Sequence, residues 1–132
     1  MTPVRVLTVD DQPIFLEVAR ALLESTPGFD LVGEATSGVE ALVAAERLHP
    51  DLVLLDVRMP GLDGLETARR LADQQPGAVV VLVSGDNAED LRALAAESGA
   101  VALIQKERLR PRVLRDLWAR HGPAAGAVRA KH

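Results

Sequence analysis

The chain has 132 residues and no cysteine, no tyrosine, one tryptophan and two phenylalanines. Without cysteine, disulfide bridges and thiolate metal sites are excluded. So few rings leave little material for a surface that stacks nucleobases. No apolar run approaches the ~18–20 residues of a membrane span, and Met1-Thr2-Pro3 leads into a strand-like run with no charged-then-apolar leader. The expectation is a cytoplasmic protein that neither enters a membrane nor binds nucleic acid through these residues. Acids outnumber bases for a net charge of −4, but unevenly. Residues 1–105 hold 17 acids and 7 bases, while 106–132 hold 2 acids and 8 bases. A basic stretch of this kind reads first as a solvated terminal helix with a basic tail, and second as a contact for an acidic partner or for nucleic acid.

Apolar material is plentiful, at 48% of residues with a mean hydropathy of +0.10, and its arrangement is specific. Four short runs each stop at a reactive polar residue. They are Val4–Val9 before Asp10-Asp11, Leu52–Leu55 before Asp56, Val79–Val83 before Ser84, and Val101–Ile104 before Gln105-Lys106. Continuous β-branched runs suit strands buried on both faces, as in a parallel sheet. A further strand is predicted near Leu31–Ala35. Helical spacing separates the strands: Phe15, Val18, Ala19, Leu22 and Leu23; Leu42, Val43 and Leu48; Leu65, Ala68, Leu71 and Ala72; Leu91, Leu94 and Ala95; and Leu109, Val113, Leu114, Leu117 and Trp118. Predicted boundaries are Pro27-Gly28, Ser37-Gly38, His49-Pro50, Gly64, Gln75-Pro76-Gly77, Gly85-Asp86, Ser98-Gly99 and His121-Gly122. Alternation of five strands with five helices predicts an α/β, doubly wound parallel sheet. At this length one domain is expected over residues 1–121, with Gly122–His132 a flexible tail or linker.

In such a sheet, ligands bind beyond the carboxyl ends of the strands. Singly, each polar residue there has a plain structural explanation. Asp10-Asp11 can cap a helix, Asp63-Gly64 is a turn and cap, Ser84-Gly85 is a strand-to-helix turn, and Lys106 can be surface charge. Asp56 fits this least well, because Pro60-Gly61 follows it where a helix cap would stand. Together, three carboxylates at one edge repel one another unless a cation lies among them. An all-oxygen set favours a hard divalent ion such as Mg²⁺. With a hydroxyl and an amine beside it, the edge suits phosphoryl transfer, with a carboxylate as nucleophile.

These segments resemble the receiver domain of bacterial two-component response regulators over about residues 4–121. The likeness is carried by Val9-Asp10-Asp11, by Asp56 through Gly64 with its Asp-x-x-Met-Pro-x-x-Asp-Gly pattern, by Ser84-Gly85 and by Lys106. It implies the flavodoxin-like strand order 2-1-3-4-5. It also implies that Asp56 accepts a phosphoryl group from a histidine kinase, a phosphotransfer protein or a small phosphodonor. Asp11 would ligate Mg²⁺, Asp10 would assist, and Asp56 and the Arg58 backbone carbonyl would complete the set. Ser84 and Lys106 would contact the phosphoryl group, and residues 86–121 would form the surface that responds. Such a chain is a switch and no enzyme on external metabolites, since it catalyses only its own phosphorylation and dephosphorylation.

Two positions depart from the family pattern. Leu103 stands where an aromatic ring is common, and Glu107 follows the lysine where proline, after a cis bond, is common. A trans bond or a strained cis bond is expected at Lys106-Glu107. Leu103 keeps open a degenerate receiver that serves as a phosphorylation-independent binding scaffold. A flavodoxin-like redox carrier fits less well, because Asp10-Asp11-Gln12-Pro13 would repel a flavin phosphate. An aspartyl-phosphate phosphatase would want Asp-x-Asp on the first strand. The output partner is expected to be a downstream protein, or a DNA-binding domain absent from these residues, with homodimerisation through the fourth and fifth helices also compatible. The short tail points toward a stand-alone regulator.

Overall fold

Continuous apolar runs and 3.6-residue patterns alternate along the chain, and the backbone follows them. The computed structural model describes residues 2–85 and 89–123. Its strands are β1 (Val4–Val9), β2 (Phe29–Ala35), β3 (Leu52–Asp56), β4 (Val79–Ser84) and β5 (Ala102–Gln105). The helices are α1 (Pro13–Glu24), α2 (Gly38–Leu48), α3 (Gly64–Gln74), α4 (Arg92–Glu97) and α5 (Pro111–His121). Every strand pair is parallel, in the order β2-β1-β3-β4-β5. This is the predicted doubly wound, flavodoxin-like sheet.

Burial explains why the strand runs carry no alternation. Every residue of β3 and β4 is buried, because helices cover both faces of these central strands. Leu7, Val9, Val53, Leu55, Val80 and Leu82 pack with Ala41, Ala45, Ala68, Leu71 and Ala95, on the face of α2, α3 and α4. Val6, Leu52, Leu54, Val81 and Val83 pack with Phe15, Ala19, Leu23 and Leu114, on the face of α1 and α5. The edge strand β5 is only half-buried along its length.

Helix starts follow local chemistry. Pro13 and Pro111 open α1 and α5, where a missing N–H costs nothing. Ser37 accepts from the Glu40 N–H at 3.1 Å, and Glu40 reaches back to the Thr36 N–H, closing a capping box one residue wider than usual. Asp63 accepts from the Glu66 N–H at 2.9 Å, so its role is the cap expected of an Asp-Gly pair. Gly64 is required for packing: a Cβ there would run into the Asp56 carbonyl oxygen and the Val57 Cα.

Some boundaries shift. Strand β2 begins two residues early, at Phe29, and β5 runs from Ala102 to Gln105, so Val101 lies outside it. The strands β3 and β4 include Asp56 and Ser84 as their last residues. The fourth helix is shorter than its apolar spacing implied. Glu89–Leu91 forms a 3-10 turn, and α4 starts at Arg92 without a side-chain cap. Residues 86–88 of the predicted helix and responding surface lie outside the described residues, as do 124–132 of the predicted tail. Gly122 is buried against the Trp118 ring. The Lys106-Glu107 bond is trans, in keeping with the absence of proline. Among the described residues, no helix is long and apolar enough to cross a membrane.

Candidate functional site

Parallel register brings the polar strand ends level with one another. Val9 pairs with Leu55, Asp56 with Val83, and Ser84 with Gln105. Asp10 and Asp11 therefore leave β1 beside the tip of β3, while Ser84 ends β4 and Lys106 follows β5 directly. Asp10, Asp11, Asp56 and Lys106 meet at the carboxyl edge of the sheet, and Ser84 ends β4 at the same edge. Asp10, Asp56 and Ser84 are buried, and Asp11 lies on the open side.

Three carboxylates, one each from Asp10, Asp11 and Asp56, have oxygens within 4.8 Å of one another. The cation that faces them is Lys106. Its ammonium lies 2.6 Å from Asp10 Oδ2 and 3.6 Å from Asp56 Oδ2. Asp10 Oδ1 accepts from the Gln12 N–H at 2.8 Å, so Asp10 braces the loop before α1 and leaves the capping position to Gln12. Asp10 Oδ2 is buried without a directional hydrogen bond, and the ammonium meets it as an ion pair only. Asp56 Oδ1 accepts from the Arg58 N–H at 3.1 Å, which draws the 57–59 loop around the carboxylate. The Arg58 backbone belongs to this loop, and its side chain is exposed.

Three negative groups against one positive group leave the site short of positive charge. Burial pushes the Asp56 carboxyl up to about 6, while the Arg58 N–H holds against the rise. Neighbouring Asp10 raises it further, Lys106 lowers it, and Asp11 raises it. The arrangement suits a hard divalent cation: every donor is oxygen, and neither His nor Cys belongs to the group.

Two contacts at this edge were not predicted. Gln12 Oε1 accepts from the Lys106 ammonium at 3.3 Å, and the Phe15 ring centroid lies 4.5 Å from the same nitrogen. Helical spacing assigned Phe15 only to the core-facing side of α1. A signal was available, since the chain has few rings and this one lies four residues beyond Asp11. Leu103 pairs with Leu82 and packs toward the α2–α4 face, so no ring lies at that position.

Proteins similar to this chain are numerous. A protein-glutamate methylesterase/protein-glutamine glutaminase of Methanospirillum hungatei is 40% identical over 105 residues, spanning 78% of this chain and 30% of its own length. The nitrate/nitrite response regulator protein NarL of Escherichia coli is 36% identical over 126 residues, spanning 96% of this chain and 57% of its own length. The chain thus spans between about a third and somewhat over half of these relatives. The signal receiver domain of a NarL response regulator from Mycobacterium tuberculosis superposes with a TM-score of 0.81. It shares 31% identity and covers 89% of this chain and 94% of its own. The response regulator receiver domain pattern matches residues 6–117, and the chain belongs to that family of two-component signalling domains.

Proposed function

We propose that this chain is a phospho-accepting switch in which Asp56 takes a phosphoryl group from a histidine kinase, a phosphotransfer protein or a small phosphodonor. The observation that carries this reading is the convergence of three carboxylates and the Lys106 ammonium at the ends of β1, β3 and β5. Asp10, Asp11, Asp56 and the Arg58 backbone carbonyl would hold Mg²⁺. When bound, the ion would neutralise the acids and the incoming phosphoryl oxygens.

The chain's own residues supply the rest. A carboxylate oxygen of Asp56 attacks phosphorus, and the bond from phosphorus to the donor's leaving atom breaks. The leaving group departs with that electron pair, an imidazole from phosphohistidine or acetate from acetyl phosphate. The product is an acyl phosphate on Asp56. The burial that raises the Asp56 pKa also strips water from its oxygens, so the nucleophile is poorly solvated before reaction. Lys106 turns from Asp10 to a phosphoryl oxygen, and Ser84 donates its hydroxyl to another. The new charge at Asp56 then alters how Ser84 and Lys106 hold β4 and β5, biasing the surface of residues 86–121.

Under this reading the receiver unit spans residues 1–121 and acts in the cytoplasm. Its only chemistry is its own phosphorylation and dephosphorylation. Its output would pass to a protein partner, to a second copy or to an attached domain. The two curated relatives bear the names of a methylesterase and of a nitrate/nitrite regulator, and either kind of output is compatible with this unit. Incubation with acetyl phosphate and Mg²⁺, read by intact mass, tests the proposal. One added phosphoryl group is expected, and none on Asp56→Asn. An unmodified native chain, or equal labelling of the variant, would overturn it.

A further inference from the structure

The neighbours of the Lys106 ammonium include two from the first turn of α1 and its cap. Asp10 Oδ2 and Asp56 Oδ2 are charged; Gln12 Oε1 and the Phe15 ring are neutral. The lysine side chain is 15% exposed and Phe15 is 8% exposed, so the contact is largely shielded from solvent. Of the three rings in the chain, Phe29 begins β2 and Trp118 lies late in α5, leaving Phe15 as the ring at the carboxyl edge. Lysine is a point charge on a flexible stem and keeps a fixed place only when its surroundings impose one.

The kind of neighbour matters for phosphoryl transfer. Once Asp10 is committed to a divalent cation, its attraction for the ammonium falls, and Lys106 loses its shortest contact. A further carboxylate could hold the amine in place, but it would compete with the phosphoryl oxygens for the same N–H groups. The face of a ring attracts the cation without adding a formal charge and without taking a lone-pair-directed hydrogen bond. It can hold Lys106 beside Asp56 while leaving its N–H donors for the phosphoryl group.

We propose that Phe15 is a positioning residue for Lys106, its ring holding the ammonium against Asp56 through phosphoryl transfer. This rests on the reading of Asp56 as phosphoacceptor and adds to it a role for α1. The helix that begins beside the acids thereby contributes to the reaction, although none of its residues touches the reacting atoms.

Fluorination tests this, because it drains the negative face of the ring in steps at nearly constant shape. Phe15 is replaced site-specifically by 4-fluoro-, 3,5-difluoro- and 3,4,5-trifluorophenylalanine, and labelling of Asp56 by acetyl phosphate is timed with Mg²⁺ present. The rate is expected to fall stepwise, by about threefold to thirtyfold over the series, the range of an exposed to a desolvated cation–ring contact. In a Lys106→Met background the series should be flat. A second readout needs no activity: in the metal-free protein the Lys106 ε-methylene protons should be shifted upfield by the ring, and Phe15→Leu should remove that shift. Labelling indifferent to fluorination, or ε-methylene protons at unstructured positions in the native chain, overturns the positioning role and leaves the Asp56 reading intact. A native chain that is never labelled overturns both.

Discussion

Both ends of the sheet gather charged residues, and they treat them in opposite ways. At the amino end, Asp51 Oδ2 accepts from the Arg5 N–H at 2.8 Å, and the Asp51 N–H donates to the Arg5 carbonyl at 2.8 Å. The Arg5 guanidinium donates to the carbonyls of Leu48 and His49, the last groups of α2, and His49 turns through the left-handed region with φ 47°. The Val79 N–H then donates to the Asp51 carbonyl. One acid and one base are balanced, and orphaned backbone groups are satisfied by both. At the carboxyl end, three acids face one lysine, and Asp56 is pushed up to about 6. The same residue type, aspartate beside a strand end, closes the fold at one end and is left under-compensated at the other.

Removing the base from the under-compensated end should have the largest effect on stability. Lys106→Met leaves Asp10 buried without a counter-charge, and metal-free protein should lose about 2–3 kcal/mol in urea unfolding. That lies below the usual cost of breaking a buried pair, because the Asp11 side is open to counter-ions. Added Mg²⁺ should recover most of the loss. At the balanced end, Asp51→Ala removes the acceptor of a partly buried backbone N–H. It should cost about 1–3 kcal/mol, unchanged by Mg²⁺. If both variants respond alike to Mg²⁺, the contrast between the two ends fails.

Replacing the acid should act in the other direction. The Asp56 carboxyl stands at about 6 in the folded chain against its ordinary 3.8. A group whose folded pKa is raised in this way costs stability above the folded value, and that cost disappears as pH falls below the ordinary one. Asp56→Asn should therefore stabilise the metal-free protein by about 1–2 kcal/mol at pH 8 and by almost nothing at pH 4. The full shift corresponds to about 3 kcal/mol, reduced here because the site opens to solvent beside Asp11. Thermal melts of both proteins across this range read the difference directly.

Much of this contrast was legible along the chain, and what was not has a physical cause. Asp56, Ser84 and Lys106 could be identified because apolar runs end on them, and parallel strands of equal register gather their ends at one edge. The Arg5–Asp51 clamp could not, because its partners lie 46 residues apart and each alone resembles an ordinary surface charge. Phe15 was assigned to the core by helical spacing, and correctly so. That its ring also faces Lys106 depends on the lysine side chain, beyond the end of β5, reaching across to α1, which no local pattern encodes. The start of α4 was misjudged because the Ala- and Leu-rich stretch after Glu89 carries apolar spacing but no N-cap, and a 3-10 turn takes up its first residues.

With three acids facing one lysine, the carboxyl end is short of positive charge. The most direct test follows the Asp56 carboxyl carbon by NMR as pH is varied, first without metal and then with Mg²⁺. A midpoint near 6 is expected in the metal-free protein, with a marked fall when Mg²⁺ is added. A midpoint in the ordinary aspartate range that Mg²⁺ leaves unmoved would contradict it.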